Sequence, residues 1–204
     1  MRIGTVEKPK SLMVQFAYWM SRRKLGKVMT PLKAVYARMP KTILVEYGIM
    51  RVLENGLALD RSLQFLVQHQ VASINGCGFC IDIARAMAVG YRLDVAKVEA
   101  LGEYRVDPRF SAPERAALAY VEEATRHKRV SDATFAELRR HFDDDAIAEI
   151  TWLCALENYF NLINLPLEIE SDGLCAIAEH REATVVGSTT TTTEPRPTGA
   201  RAQS

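Results

Sequence analysis

Apolar residues recur at steps of three and four along most of the chain, and Leu63, Leu66, Val67, Val71 and Ile74 are the clearest run. Such spacing lays a single stripe along a helix of 3.6 residues per turn. The stripe leads to Cys77, and a second helix is predicted from there to about Val89, with Gly90 placed to end it. Ser111-Ala112-Pro113-Glu114 has the form of a capping box with proline in the first turn, and it opens a helix over Arg115 to His127. Ser131 caps a shorter helix through Arg140, and Asp143 to Asp145 precede the longest one, Ala146 to about Leu165. Nearer the start, Pro31 and Pro40 begin helical patterns over Leu32 to Met39 and Lys41 to Glu54, and Gly56 closes the second.

No run of alternating β-branched residues bounded by turns interrupts this pattern, so the predicted fold class is all-α. Leu12 to Met20 reads as an amphipathic helix that packs on the domain or on a partner subunit. The chain divides into an N-terminal helical arm (1–27), a helical domain (28–182) and a Thr/Pro-rich tail (183–204). The tail holds five consecutive threonines, Thr189 to Thr193, followed by Pro195 and Pro197. Such a segment cannot bury apolar area and is expected to be disordered.

Composition narrows the function. Lys plus Arg (26) nearly balances Asp plus Glu (25), so no global field points to nucleic acid or to an anionic membrane. Leu12 to Met20 is far shorter than the ~20 residues that span a bilayer. Its charges, Arg22-Arg23-Lys24, lie behind it, the reverse of a secretory signal, and a cytoplasmic location is expected. Four cysteines at this size in that compartment are no disulfide scaffold. Cys154 and Cys175 are isolated, and Cys175 reads as structural, whereas Cys77 and Cys80 form a CxxC pair.

A CxxC on the first turn of a helix meets free backbone N–H groups and the positive end of the helix dipole, which stabilise a thiolate. The spacing also brings two sulfurs within disulfide reach, and Asn75-Gly76 supplies the turn that starts such a helix. A thiolate beside a resolving thiol can reduce a peroxide or a disulfide and then close on itself. Zinc would need two further ligands at matched spacing, but there is no second CxxC, and His69, His127, His141 and His180 are scattered. Gly76 and Gly78 lack the third glycine and the preceding strand of a dinucleotide fingerprint. Two small buried residues without chemistry remain the plain alternative.

The segment from Val71 through Cys77-Gly78-Phe79-Cys80 to Asp82 resembles the core signature of the alkylhydroperoxidase D and carboxymuconolactone decarboxylase superfamily. Thr30-Pro31-Leu32-Lys33 and the stretch from Ala148 to Asn158 are also similar to members of that group, so the resemblance spans roughly residues 28 to 170. It implies an alkylhydroperoxidase D-like multi-helix bundle, homo-oligomers and, in the redox-active members, peroxidase activity through CxxC. By that analogy Cys80 attacks the peroxide and Cys77 resolves it, whereas the dipole alone favours Cys77 as the attacking sulfur.

The redox-active pattern places a glutamate twelve positions before the first cysteine and a histidine four after the second, where this chain has Phe65 and Ala84. His69, one turn after Phe65, is a candidate substitute base or else a boundary histidine. Asp82 would oppose a thiolate if it faced the sulfurs, and is expected to face solvent or to pair with Arg85. Cys154, Asn158 and Asn161 share a helix face with Asn164 a turn beyond. Asparagine is a poor helix former, so this row serves inter-helix or inter-subunit hydrogen bonding, or walls a substrate pocket.

The function expected is a thiol-dependent hydroperoxidase with Cys77 and Cys80 as catalytic residues, an external dithiol as reductant, and no cofactor, metal, nucleic acid or membrane. The rivals are a non-catalytic helical oligomer with a residual CxxC, and a lyase of the decarboxylase branch.

Overall fold

The structure is a computed structural model and describes residues 1–189. Among these the chain is all-helical, with no strand. The helices are α1 (Leu12–Leu25), α2 (Thr30–Ala34), α3 (Thr42–Asn55), α4 (Arg61–Asn75), α5 (Gly78–Gly90), α6 (Val95–Glu99), α7 (Ala112–His127), α8 (Asp132–Arg139), α9 (Asp144–Asn164) and α10 (Leu174–Thr189).

The helix starts follow the side chains that cap them. Asp60 accepts the N–H groups of Ser62 and Leu63 to open α4, and Asp143 accepts that of Ala146 to open α9. At α7 both halves of the capping box close: Ser111 Oγ accepts the Glu114 N–H, and the Glu114 carboxylate accepts the Ser111 N–H. The predicted helix over Leu32 to Met39 is instead split into α2 and a 3-10 turn, Tyr36–Arg38. Met39 leaves the helical region ahead of Pro40, as the proline ring demands.

Helix α4 is the central element, packed against α5, α7 and α9. One stripe was read from its sequence, yet its residues enter three separate cores. Val67 and Val71 pack with Val121, Ile150 and Leu153; Leu66 packs with Leu101, Phe110 and Leu118; Ala72 packs with Phe79 and Leu174 around the cysteines. Helix α10 covers α5. It runs past residue 183, where the tail was expected to begin, and residues 190–204 of that tail lie outside the described residues.

The N-terminal arm is tied to the domain. Val14 and Tyr18 of α1 are buried with Leu32 and Tyr36, and Lys27 pairs with Asp172, whose carboxylate also accepts the N–H and hydroxyl of Thr30. The opposite face of α1 leaves Leu12, Phe16 and Trp19 exposed. No helix of the described residues is long and apolar enough to cross a membrane.

Candidate functional site

The sulfur pair sits where α4 ends and α5 begins. Gly76 takes φ +70°, the left-handed conformation that stops α4 and that glycine adopts without strain. The chain then folds back so that the Cys77 N–H donates to the Ala72 carbonyl at 3.0 Å. Cys77 becomes the N-cap of α5, its sulfur accepting the Cys80 N–H at 3.3 Å. Its Cα lies 5.3 Å from that of Cys80, and a disulfide joins the two. Phe79, Ile169 and Leu174 pack around the pair. Cys77 is 0% and Cys80 4% exposed, so the site lies beneath the surface and not on it.

The polar side of this shell comes from α9. The Asn161 side-chain N–H donates to Cys80 Sγ at 3.1 Å and to the Glu157 carboxyl at 2.7 Å. Asn164 donates to Cys80 Sγ at 3.4 Å and approaches Cys77 Sγ at 3.9 Å, while its own Oδ1 is buried without a donor. Asn75, at the end of α4, donates to the side-chain oxygens of Asn158 and Asn161 and locks the row in place. The asparagines therefore do two things together: they join α4 to α9 and they line the sulfurs.

Glu157 was not singled out in the sequence. It lies one helical turn before Asn161, is 7% exposed, and has no basic partner among the described residues. Burial pushes its carboxyl up to about 8 against the opposing pull of the Asn161 amide. At neutral pH it is mostly a neutral acid holding a proton. The sequence signal available was a glutamate on the apolar side of the longest helix, four residues before an asparagine.

Other candidates lie elsewhere. His69 is buried and meets Ser73 Oγ at 3.2 Å through Nδ1, and no hydrogen bond joins it to either sulfur. Burial, aided by the Arg85 charge, pushes it down to about 4. Phe65 is buried against Tyr91, with ring centroids 5.7 Å apart, and Ala84 is half-buried.

The expectation for Asp82 is corrected. It is buried and pairs with no arginine; its carboxylate accepts the N–H groups of Asp172, Leu174 and Cys175 and so caps α10 from α5. Burial alone would raise its pKa, but these bonds outweigh that and hold it below the ordinary aspartate value. A backbone segment ninety positions away with three free N–H groups could not be read from local spacing.

Cys154 is buried beside Thr125, and burial pushes its thiol up. Cys175 is half-buried, next to Glu179. Among the described residues no group of three or more His, Cys, Asp or Glu side chains could hold a metal ion.

Comparison with known proteins places this site in a family. Residues 47–123, which include both cysteines, match the model of the carboxymuconolactone decarboxylase family. The uncharacterized protein YnjA of Escherichia coli is 34% identical over 166 residues, 80% of this chain and 90% of its own length. Among solved structures, the debrominase Bmp8 with 2,3,4-tribromopyrrole bound superposes with a TM-score of 0.73 at 17% identity, over 89% of this chain and 97% of that one. An alkylhydroperoxidase AhpD core, an uncharacterized peroxidase-related protein from Ralstonia eutropha, gives 0.69 at 14% identity over 86% and 97%. At such identities the structural likeness shows the fold, which is AhpD-like. The chain belongs to the carboxymuconolactone decarboxylase family.

Proposed function

We propose that this protein is a thiol-dependent hydroperoxidase in which Cys80 attacks the peroxide and Cys77 resolves the product. The observation that carries the reading is the set of groups around Cys80 Sγ: two amide donors, a bonded partner sulfur, and a buried carboxyl that shares the Asn161 amide with it. In the dithiol form the Asn161 and Asn164 N–H groups favour a thiolate at Cys80. That thiolate attacks the outer peroxide oxygen, the O–O bond breaks, and the departing alkoxide takes a proton and leaves as the alcohol. Glu157, protonated at neutral pH, is the acid placed to resupply that proton, either across the Asn161 amide region or through one water. Cys77 then attacks the Cys80 sulfenic acid, water leaves, and the disulfide forms. An external dithiol returns the pair to the reduced state by exchange, which a reducing cytoplasm would sustain.

The burial of both sulfurs favours a small hydroperoxide and a small reductant over bulky ones. Exposed Leu44, Val45 and Tyr47 on α3 support assembly with further copies of the chain.

The test is hydroperoxide consumption driven by a small dithiol, for wild type, Cys77→Ser and Cys80→Ser. Both variants should lose turnover. Cys77→Ser should still consume one equivalent of peroxide, whereas Cys80→Ser should consume none. Turnover of a lactone acid that survives both changes would place the chain with the decarboxylase branch. A folded protein inert in both assays would leave only a helical oligomer.

A further inference from the structure

A cleft of about 370 Å³ lies between α4, α5, the α6 segment and α7, and no residue of α9 or of the sulfur pair lines it. Its walls include His69, Arg85, Tyr104, Arg105, Glu122 and Arg126. We propose that this cleft binds a small molecule through an oxyanion group, held by His69 Nε2 and the Arg85 guanidinium.

Two buried nitrogens without partners carry the inference. His69 is 5% exposed, and its Nε2 has no hydrogen-bond partner. When the Ser73 hydroxyl donates to Nδ1, the neutral ring carries its proton on Nε2, which is then a donor lacking an acceptor. Arg85 Nε is likewise buried with no acceptor. The two side chains are close enough for the arginine charge to act on the imidazole. Buried donors are almost always satisfied, so two such atoms on side chains that line one cleft call for a ligand that brings acceptors.

Charge compensation points the same way. Glu122 accepts from Arg105 at 3.0 Å, from Arg126 at 3.3 Å and from the Tyr104 hydroxyl at 2.8 Å, which commits those two cations. Arg85 has no carboxylate partner among the described residues, because Asp82, one turn earlier, is occupied by the start of α10. Three guanidiniums, Arg85, Arg105 and Arg126, thus meet two carboxylates, Glu122 and Glu99, so the cleft keeps a net positive charge, with the planar fork of Arg85 suited to two oxygens and a neutral N–H beside it. A cation would meet a net positive charge despite Glu99 in the same lining, exposed and unpaired among the described residues, and an apolar ligand would leave both nitrogens unpaired. Carboxylate and phosphate share the chemistry required.

The full-length protein, isotope-labelled at histidine nitrogens, is titrated with inorganic phosphate and separately with acetate at constant ionic strength set by chloride. Binding predicts a saturable shift of the His69 Nε2 resonance with at least one anion, while His127, His141 and His180 move little. Saturation by phosphate alone identifies a phosphate-type ligand, and saturation by acetate a carboxylate. Arg85→Met should weaken binding at least about tenfold, and Arg85→Lys, which keeps the charge but loses the fork, should weaken it less. A matching rise of melting temperature with anion in wild type, absent in Arg85→Met, reads the same site through linkage. No saturable shift, equal shifts at all four histidines, or unchanged affinity in both Arg85 variants would mean that solvent alone occupies the cleft, and would overturn the proposal.

Discussion

Replacing Glu157 by glutamine should change how stability depends on pH. In the folded chain burial pushes the carboxyl from 4.5 up to about 8, while in the unfolded chain it titrates at its ordinary value. Between those two values the folded protein holds a proton that the unfolded chain has released, so stability falls as pH rises. Each unit of that interval is worth roughly 1.4 kcal/mol, and the whole interval on the order of 5 kcal/mol. This is a large part of the ~5–15 kcal/mol that holds a domain together. Glutamine keeps the oxygen that accepts from Asn161 and removes the titration. Urea unfolding of wild type and Glu157→Gln at several pH values between 5 and 8, with the disulfide intact in both, isolates the effect, since all other groups titrate alike. The variant should be comparable to wild type at pH 5 and gain on it steadily toward pH 8. Parallel stability curves would refute the reasoning, because they would mean that Glu157 ionises inside the protein without penalty.

Three further outcomes follow from the same geometry. Asp82→Asn keeps one acceptor but presents an NH2 to backbone donors, and should destabilise by roughly 1–3 kcal/mol in urea unfolding. Because the Asp82 pKa is held down, the wild-type advantage is present above the ordinary aspartate value and is lost as acid takes the pH below it; the variant should lack that acid limb. Gly76→Ala, at φ +70° with nothing within 4 Å of the new methyl, should cost about 1–2 kcal/mol of backbone strain without any clash, read as a lower urea midpoint. Asn164→Leu, which removes one amide from the sulfurs, should slow alkylation of the reduced protein near neutral pH by about tenfold; an unchanged rate would show that Asn164 does not favour the thiolate.

Local chemistry made much of this fold readable. Ser111, Ser131 and Asp143 each accept the N–H three residues on, as their spacing predicted, and the apolar run from Leu63 does form the buried helix that delivers the cysteines. Helix α10 went unread although Ser171-Asp172-Gly173 stands before an Ala- and Leu-containing run, since its main anchor is a carboxylate on α5 and no cap of its own. The sulfur pair was legible because two residues of spacing and a helix start suffice to place it. Its polar surroundings were only half legible: the asparagine row invited attention by its poor helix propensity, but glutamate is an ordinary helix residue, and only its place on the apolar side of α9 marks Glu157 as buried. His69, one turn after Phe65, shares the face of the pattern's missing glutamate and so reads as a substitute base or a boundary histidine, but its side chain lines a cleft that holds neither sulfur.

On the proposed chemistry, reduction of a peroxide asks the protein for two things: a sulfur anion held by donors, and a proton for the oxygen that leaves. Neither requirement specifies which helix must supply them. In this chain positions 65 and 84 hold Phe65, packed against Tyr91 with tilted rings, and Ala84, so α4 and α5 contribute packing there. The donors and the acid lie on α9 instead, four residues apart, so that a single amide touches both the carboxyl and Cys80 Sγ. The spacing matters physically. At i and i+4 the two side chains share one helix face, and Asn75 fixes the amide's oxygen so that its N–H groups must point at the acid and the sulfur. A glutamate one position earlier or later on α9 would sit about 100° around the helix, away from that amide, and the coupling between proton and sulfur would be lost.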